Sequence, residues 1–144
     1  MPLANVASLL PYHNYVTGER TVETINTMID YVQDGNRLFY DIYSDEDKRA
    51  DARKNNTGLF FFRGEPGKPF AIVCPGGGFS YVGAIHEGFP LAIALSKMGY
   101  NAFSIQYRTG SAQVACEDLA QAIDFIMRHA EELQVSTDDY SLWG

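Results

Sequence analysis

Positive charge is scarce in this chain. Lys and Arg number 11 against 18 Asp and Glu in 144 residues, a net charge of −7. Nucleic-acid and anionic-membrane surfaces draw most of their attraction from basic patches, so neither class of partner is expected. Cysteine is nearly absent. Cys74 and Cys116 stand far apart, match no metal-ligand spacing and build no disulfide framework, which points to a reducing cytoplasm. No run approaches the ~20 apolar residues that span a bilayer. The opening "MPLANVASLLPYHNY" has no basic region and its apolar run stops at Pro11, so it is a poor signal peptide. Without a secretory route, the "NNT" at Asn55 carries no weight as a glycosylation acceptor. Repeats and low-complexity tracts are lacking too.

Apolar residues make up 46% of the chain, with nine Phe and nine Tyr. That is enough for a packed core, and the length suits one domain. "TVETINTMIDYV" places Val22, Ile25, Met28, Ile29 and Val32 at helical spacing, with Gly35 as its stop. Residues 1–34 are read as a helical extension and 35–144 as the main domain. "RLFYDIY" reads as a strand. Ser44 and Asp47 then fit a capping box that opens a charged helix or long loop, "SDEDKRADARKN".

The middle changes character. "GLFFFRG" and "KPFAIVCPGGG" are continuous apolar runs bounded by Gly and Pro, the pattern of strands covered on both faces. A helix follows in "EGFPLAIALSKMGY", with Leu91, Ala94, Leu95 and Met98 on one face and Gly99 as its cap. "NAFSIQYR" is the next strand. "ACEDLAQAIDFIMRHAEELQV" is one long helix with a stripe of Leu119, Ile123, Ile126, Met127, Ala130 and Leu133, and "DYSLWG" is the last strand. Strands alternating with helices imply parallel pairing through right-handed crossovers, hence an α/β fold with an antiparallel strand pair at its start.

Chemistry in such a fold gathers at the C-terminal ends of the parallel strands, where "CPGGGF" lies. Three consecutive glycines let several backbone N–H groups face one anion, either a phosphate or a developing oxyanion. The phosphate motifs fail: no Gly-Lys-Ser/Thr follows, and a dinucleotide fingerprint would need glycine where Tyr81 stands. A ligand-free turn remains the plain alternative. "HEGFP" begins like a zinc motif, but its fifth residue is Pro90, so no metal is expected. No cofactor is expected either.

The stretch "CPGGGFSYVGAIHEGFPLAIALSKMGYNAFSIQYR" resembles the oxyanion-loop region of the α/β-hydrolase superfamily, in its esterase and lipase branch. The likeness continues through "DLAQAIDFIMRHAEEL" to "DYSLWG", which looks like the strand leading into a Gly-x-Ser-x-Gly nucleophile elbow. It covers about residues 37–144. It implies that the chain is the N-terminal part of a hydrolase domain, a mostly parallel sheet flanked by helices. It further implies that Gly144 is the first glycine of the elbow and that serine, acid and histidine follow it. An apolar parallel strand left as an open edge, which soluble proteins avoid, points the same way.

By the same resemblance the N–H groups of Gly77 and Gly78 contribute to an oxyanion hole, Gly78 and Phe79 being the other choice of pair. Phe79 and Tyr81 would line the substrate pocket, with ordinary loop packing as the competing reading. Glu87 matches an acidic residue that braces the loop, and Arg108 would pair with an acid to fix the turn after its strand. Pro75 replaces a histidine common in lipases. His13, His86 and His129 precede the elbow and are too early to serve the triad, and His129 is read as a surface residue. Cys74 lacks a neighbouring base and reads as a small apolar residue rather than a nucleophile. The implied function is a serine hydrolase acting on a small-molecule carboxylic ester, with short acyl esters preferred. The alternative from another class is a non-catalytic or split-chain α/β module that self-associates, or docks a complementing chain, through its edge strand. A flavodoxin-type anion-binding domain is the third reading, weakened by the failed phosphate motifs.

Overall fold

The computed structural model describes residues 2, 5 and 16–144, so His13 lies outside the described residues. The chain forms two compact units, Met1–Leu38 and Phe39–Gly144. In the first, helix α1 spans Gly18–Gln33. Thr17 caps it by accepting from Arg20 N–H, and Glu19 complements the positive end of the helix dipole. It stops where expected. Gly35 takes φ +86, which only glycine adopts without strain, and the N–H groups of Gly35 and Asn36 close back on the Val32 and Tyr31 carbonyls.

The second unit is a five-stranded sheet ordered β1-β2-β4-β3-β5. Its strands are β1 (Phe39–Asp41), β2 (Gly58–Phe62), β3 (Pro69–Val73), β4 (Asn101–Gln106) and β5 (Ser136–Trp143). Pairings β1–β2 and β2–β4 are antiparallel, while β3 pairs in parallel with β4 and with β5. The expected antiparallel start and parallel centre are both present. Between β1 and β2, helix α2 (Asp45–Ala50) begins in the predicted capping box: Ser44 Oγ accepts from Asp47 N–H, and the Asp47 carboxylate accepts from Ser44 N–H. A short 3-10 turn over Ala52–Asn56 leads into β2.

Alternation along β2 shows why both faces are covered. Leu59 and Phe61 point into the cluster that holds Ile72, Phe103, Ile105 and Ile126, with Phe61 stacked on Phe103 at 4.2 Å. Phe60 and Phe62 point the other way, onto Phe89 of helix α3 (Phe89–Lys97), at 4.7 and 6.2 Å between ring centres. Helix α4 (Ala112–Arg128) covers the first face and α3 the second. Each large aromatic so buried contributes about 1.5–3 kcal/mol relative to exposure.

Three readings of the helices need correction. The inner face of α3 is Phe89, Ala92, Ile93 and Leu95, whereas Ala94 is exposed and Met98 is 71% exposed. Gly88 and Pro75 meet at the start of α3, because a Cβ on Gly88 would strike Pro75 and Ser104; this close approach sets the helix rotation. Second, the long helix breaks at His129, and a short turn, α5 (Ala130–Leu133), follows with Gln134 left-handed at φ +57. Third, His129 is half-buried at that break: its ring stacks on Phe125 at 4.3 Å and its Nδ1 lies 2.8 Å from the Phe125 carbonyl.

A buried amide organises the opposite end of the sheet. Asn101, fully buried, accepts from Gly64 N–H and donates to the carbonyls of Glu65 and Lys68, which fixes the β2–β3 turn. Along β5 the ladder is irregular: β3 advances from Pro69 to Ala71 while β5 advances from Ser136 to Ser141, and Asp139 takes φ +56. No helix among the described residues is long and apolar enough to cross a membrane.

Candidate active site

Strand β3 delivers the chain to the glycines. Cys74 still pairs with β5, its N–H donating to the Trp143 carbonyl at 2.7 Å. Pro75 then ends the ladder, because it has no N–H to offer. Its carbonyl accepts from the Tyr107 hydroxyl at 2.6 Å, tying the root of the loop to the end of β4.

Beyond Pro75 the backbone turns through conformations that demand glycine. Gly77 has φ +149, and a Cβ there would collide with the Tyr81 carbonyl oxygen. Gly78 follows at φ +58 and Phe79 at φ +60, the latter an uncommon state for a side-chain-bearing residue. The loop is pinned from several directions. Gly76 N–H donates to Glu87 Oε2 at 2.6 Å, and Gly83 N–H donates to the Gly76 carbonyl at 2.8 Å. Ser80 N–H reaches the Gly77 carbonyl, and Gly110 N–H reaches that of Phe79. Every one of these bonds leaves the N–H groups of Gly77, Gly78 and Phe79 unspent: none has a hydrogen-bond partner among the described residues.

The root of the loop sits beside the tip of β5, where Gly144 lies next to Cys74: a Cβ on Gly144 would be 3.9 Å from the Cys74 carbonyl oxygen. A cavity of about 250 Å³ opens against the loop, lined by apolar surface of Phe79, Ile105, Tyr107 and Leu119 and by both thiols, Cys74 and Cys116. Burial pushes the Cys74 thiol above the usual cysteine range, with a smaller contribution from Cys116, so the thiolate a cysteine nucleophile needs is disfavoured there.

Solved structures share this architecture. A bifunctional acetyl ester-xyloside hydrolase from Caldicellulosiruptor lactoaceticus aligns at TM-score 0.63 with 20% identity, over 72% of this chain and 40% of that one. A sugar hydrolase from Lactococcus lactis aligns at 0.58 with 21% identity, over 74% and 41%. A carboxylesterase from Lactobacillus plantarum aligns at 0.52 with 22% identity, over 60% and 36%. The fold is that of part of an α/β hydrolase. This chain spans about two-fifths of the length of these hydrolases. No protein-family model and no curated protein sequence matches it.

Of the residues singled out in the sequence, this α/β-hydrolase fold gathers Gly77, Gly78, Phe79, Tyr81, Glu87 and Gly144 around one loop. Phe79 is exposed and lines the cavity; Tyr81 instead sets its carbonyl against Gly77 and does not line it. Arg108 stands apart, in a polar cluster under the turn after β4. Its Nε and Nη2 donate to the carboxylate of the fully buried Asp118 at 3.0 and 2.8 Å, and its backbone N–H donates to the same group at 2.6 Å. Nη1 donates to Asp51 at 3.0 Å, and the Tyr43 hydroxyl donates to Asp118 at 2.6 Å. Burial, then the bond to Asp118, lifts Tyr43 well above the usual tyrosine range; hydrogen bonds from Arg53, and from Arg108 more weakly, hold Asp51 well below that of carboxylates. The cluster fixes the turn whose Gly110 N–H grips Phe79.

Sequence reasoning missed Asp118, Tyr107 and Gly83. Asp118 had a signal: it falls between Ala115 and Ala122 on the inner face of α4, where an acid needs a cation. Gly83 had none, since its role is set by the ring of His86, 2.9 Å from where a Cβ would stand. Among the described residues no group of three or more His, Cys, Asp or Glu is placed to hold a metal ion.

Proposed function

We infer that this chain supplies the oxyanion-binding part of a serine hydrolase acting on carboxylic esters. One observation carries the reading: three consecutive amides, of Gly77, Gly78 and Phe79, are unspent in a loop otherwise pinned by hydrogen bonds at the C-terminal end of β3, which pairs in parallel on both sides. Donors held this way need no reorganisation when charge develops on an attacked acyl oxygen, and losing one such donor costs about two to three powers of ten in rate. The serine, acid and histidine lie beyond Gly144, with the serine in a Gly-x-Ser-x-Gly turn continuing β5. The modest apolar cavity beside the loop favours a short acyl group, and the acetyl ester hydrolase among the structural neighbours supports that choice.

The test is covalent labelling of the native protein by a fluorophosphonate serine probe, with intact mass and the coding sequence read past Gly144. Labelling at a serine two residues after Gly144 is the expected result. A stop codon at that point would favour the split-chain or binding module instead. These 144 residues alone are expected to hydrolyse no aryl acetate above background. Turnover by the purified polypeptide, lost on replacing Cys74 or His86, would overturn this division of roles.

A further inference from the structure

The turn over Ala84–Gly88 sets two titratable side chains beneath the glycine loop. Glu87 spends Oε2 on Gly76 N–H, and its other oxygen, Oε1, lies 3.6 Å from Nε2 of His86. The His86 side chain is only 8% exposed, yet neither ring nitrogen has a hydrogen-bond partner among the described residues. Such burial is costly for an imidazole and calls for a nearby acceptor or donor. The carboxylate of Glu87 is the group at hand, one small movement from a charge-assisted hydrogen bond. Two glycines make the arrangement fit. A Cβ on Gly83 would stand 2.9 Å from the ring's Cε1, and a Cβ on Gly76 would stand 2.8 Å from Glu87 Oε2.

We propose that His86 is a positioning residue for the glycine loop: it presents a proton on Nε2 to Glu87 Oε1, and so holds the carboxylate against Gly76 N–H and fixes the amides that follow. The importance of the loop rests on the hydrolase reading; the adjacency of His86, Glu87 and Gly76 stands on the distances alone. Other groups facing this pair are few. Tyr107, just after β4, feels the Glu87 charge, but its proton is committed to the Pro75 carbonyl; Cys74 and Tyr81 act on Tyr107 in turn. His86 is the one basic side chain within ion-pair distance of Glu87 among the described residues. Protonating the ring turns the contact into an ion pair, and a neutral ring maintains it only in the Nε2–H tautomer.

Nitrogen-15 NMR tests this without any turnover. The expected spectrum shows the Nε2–H tautomer of His86 at neutral pH and a Gly76 amide proton that shifts as the ring titrates. His86→Gln places an amide donor at similar reach. It should retain the slow exchange of the Gly76 amide but lose its pH response, whereas His86→Leu should speed that exchange about tenfold or more. An Nδ1–H tautomer, a Gly76 amide indifferent to the titration, or equal exchange in His86→Leu and the parent would each overturn the proposal. Should His86→Leu not fold, the tautomer and titration of the parent protein decide by themselves. Seeing the expected spectrum in a protein that no serine probe labels would sink the hydrolase reading and leave the brace standing.

Discussion

Gly77 and Gly78 are neighbours in one loop, yet they answer to different constraints. A methyl group on Gly78 meets nothing within 4 Å, so Gly78→Ala suffers only the left-handed backbone, about 1 kcal/mol. On Gly77 the same methyl group strikes the Tyr81 carbonyl oxygen, which is backbone and cannot swing aside. Urea denaturation should therefore show Gly77→Ala losing at least about twice as much as Gly78→Ala. Equal losses would show that Tyr81 does not hold the loop. The Arg108 cluster sets a second residue-scale expectation. Asp118→Ala leaves a buried guanidinium without its main partner and should cost about 3–5 kcal/mol. The same cluster shapes the pH profile. Tyr43 is raised in the folded state, so its contribution is complete below about pH 10 and declines as pH rises past that unfolded-state value. Asp51 is lowered, so its contribution is complete above about pH 4 and is lost in more acid solution. Unfolding followed across pH should show both limbs, and Tyr43→Phe should flatten the alkaline one. An unchanged alkaline limb in that variant would assign it to other groups.

At the scale of elements, caps were legible in the sequence and faces much less so. Ser44 with Asp47, Gly35 and Gly99 all act through their own backbone neighbours, so local pattern sufficed. Gly99 closes α3 at φ +100, with Tyr100 N–H returning to the Leu95 carbonyl. The inner face of α3 depends on where Gly88 meets Pro75, a contact between distant stretches that spacing along one helix cannot reveal. The break at His129 is similarly hidden, since the ring's stacking on Phe125 and a left-handed Gln134 end the helix where the apolar period runs on. Helix α4 begins at a cap that its apolar stripe does not advertise: Ser111 Oγ accepts from Val114 N–H at 3.3 Å. Because α4 carries Cys116 to the cavity and Asp118 to Arg108 under the turn after β4, this cap bears on more than one helix end. Ser111→Ala should cost about 1 kcal/mol in urea denaturation, and Ser111→Asp should restore it. Equal stability of Ser111→Ala and the parent would show that α4 is held by packing alone.

For the whole molecule, parallel pairing of the later strands follows from the alternation of apolar runs and helices, because a right-handed crossover leaves few topologies open. The sequence could not reveal how unevenly β5 guards its free side. Its first half bends away at the irregularity around Asp139, with Asp138 and Asp139 exposed there, a pattern that discourages a further strand. Its second half is regular and apolar. Tyr140, Leu142 and Trp143 are 39%, 49% and 42% exposed, and the indole N–H folds back on Ser141. Among the described residues β5 pairs only with β3. An extended apolar edge of this kind templates another strand, so the 144-residue polypeptide should associate with itself. In sedimentation velocity its mean coefficient should rise with concentration. Leu142→Lys should bring it toward the monomer value, because a lysine on an edge opposes strand addition while leaving the β3–β5 ladder intact. A parent polypeptide that stays monomeric at every concentration would mean that this edge is covered in solution.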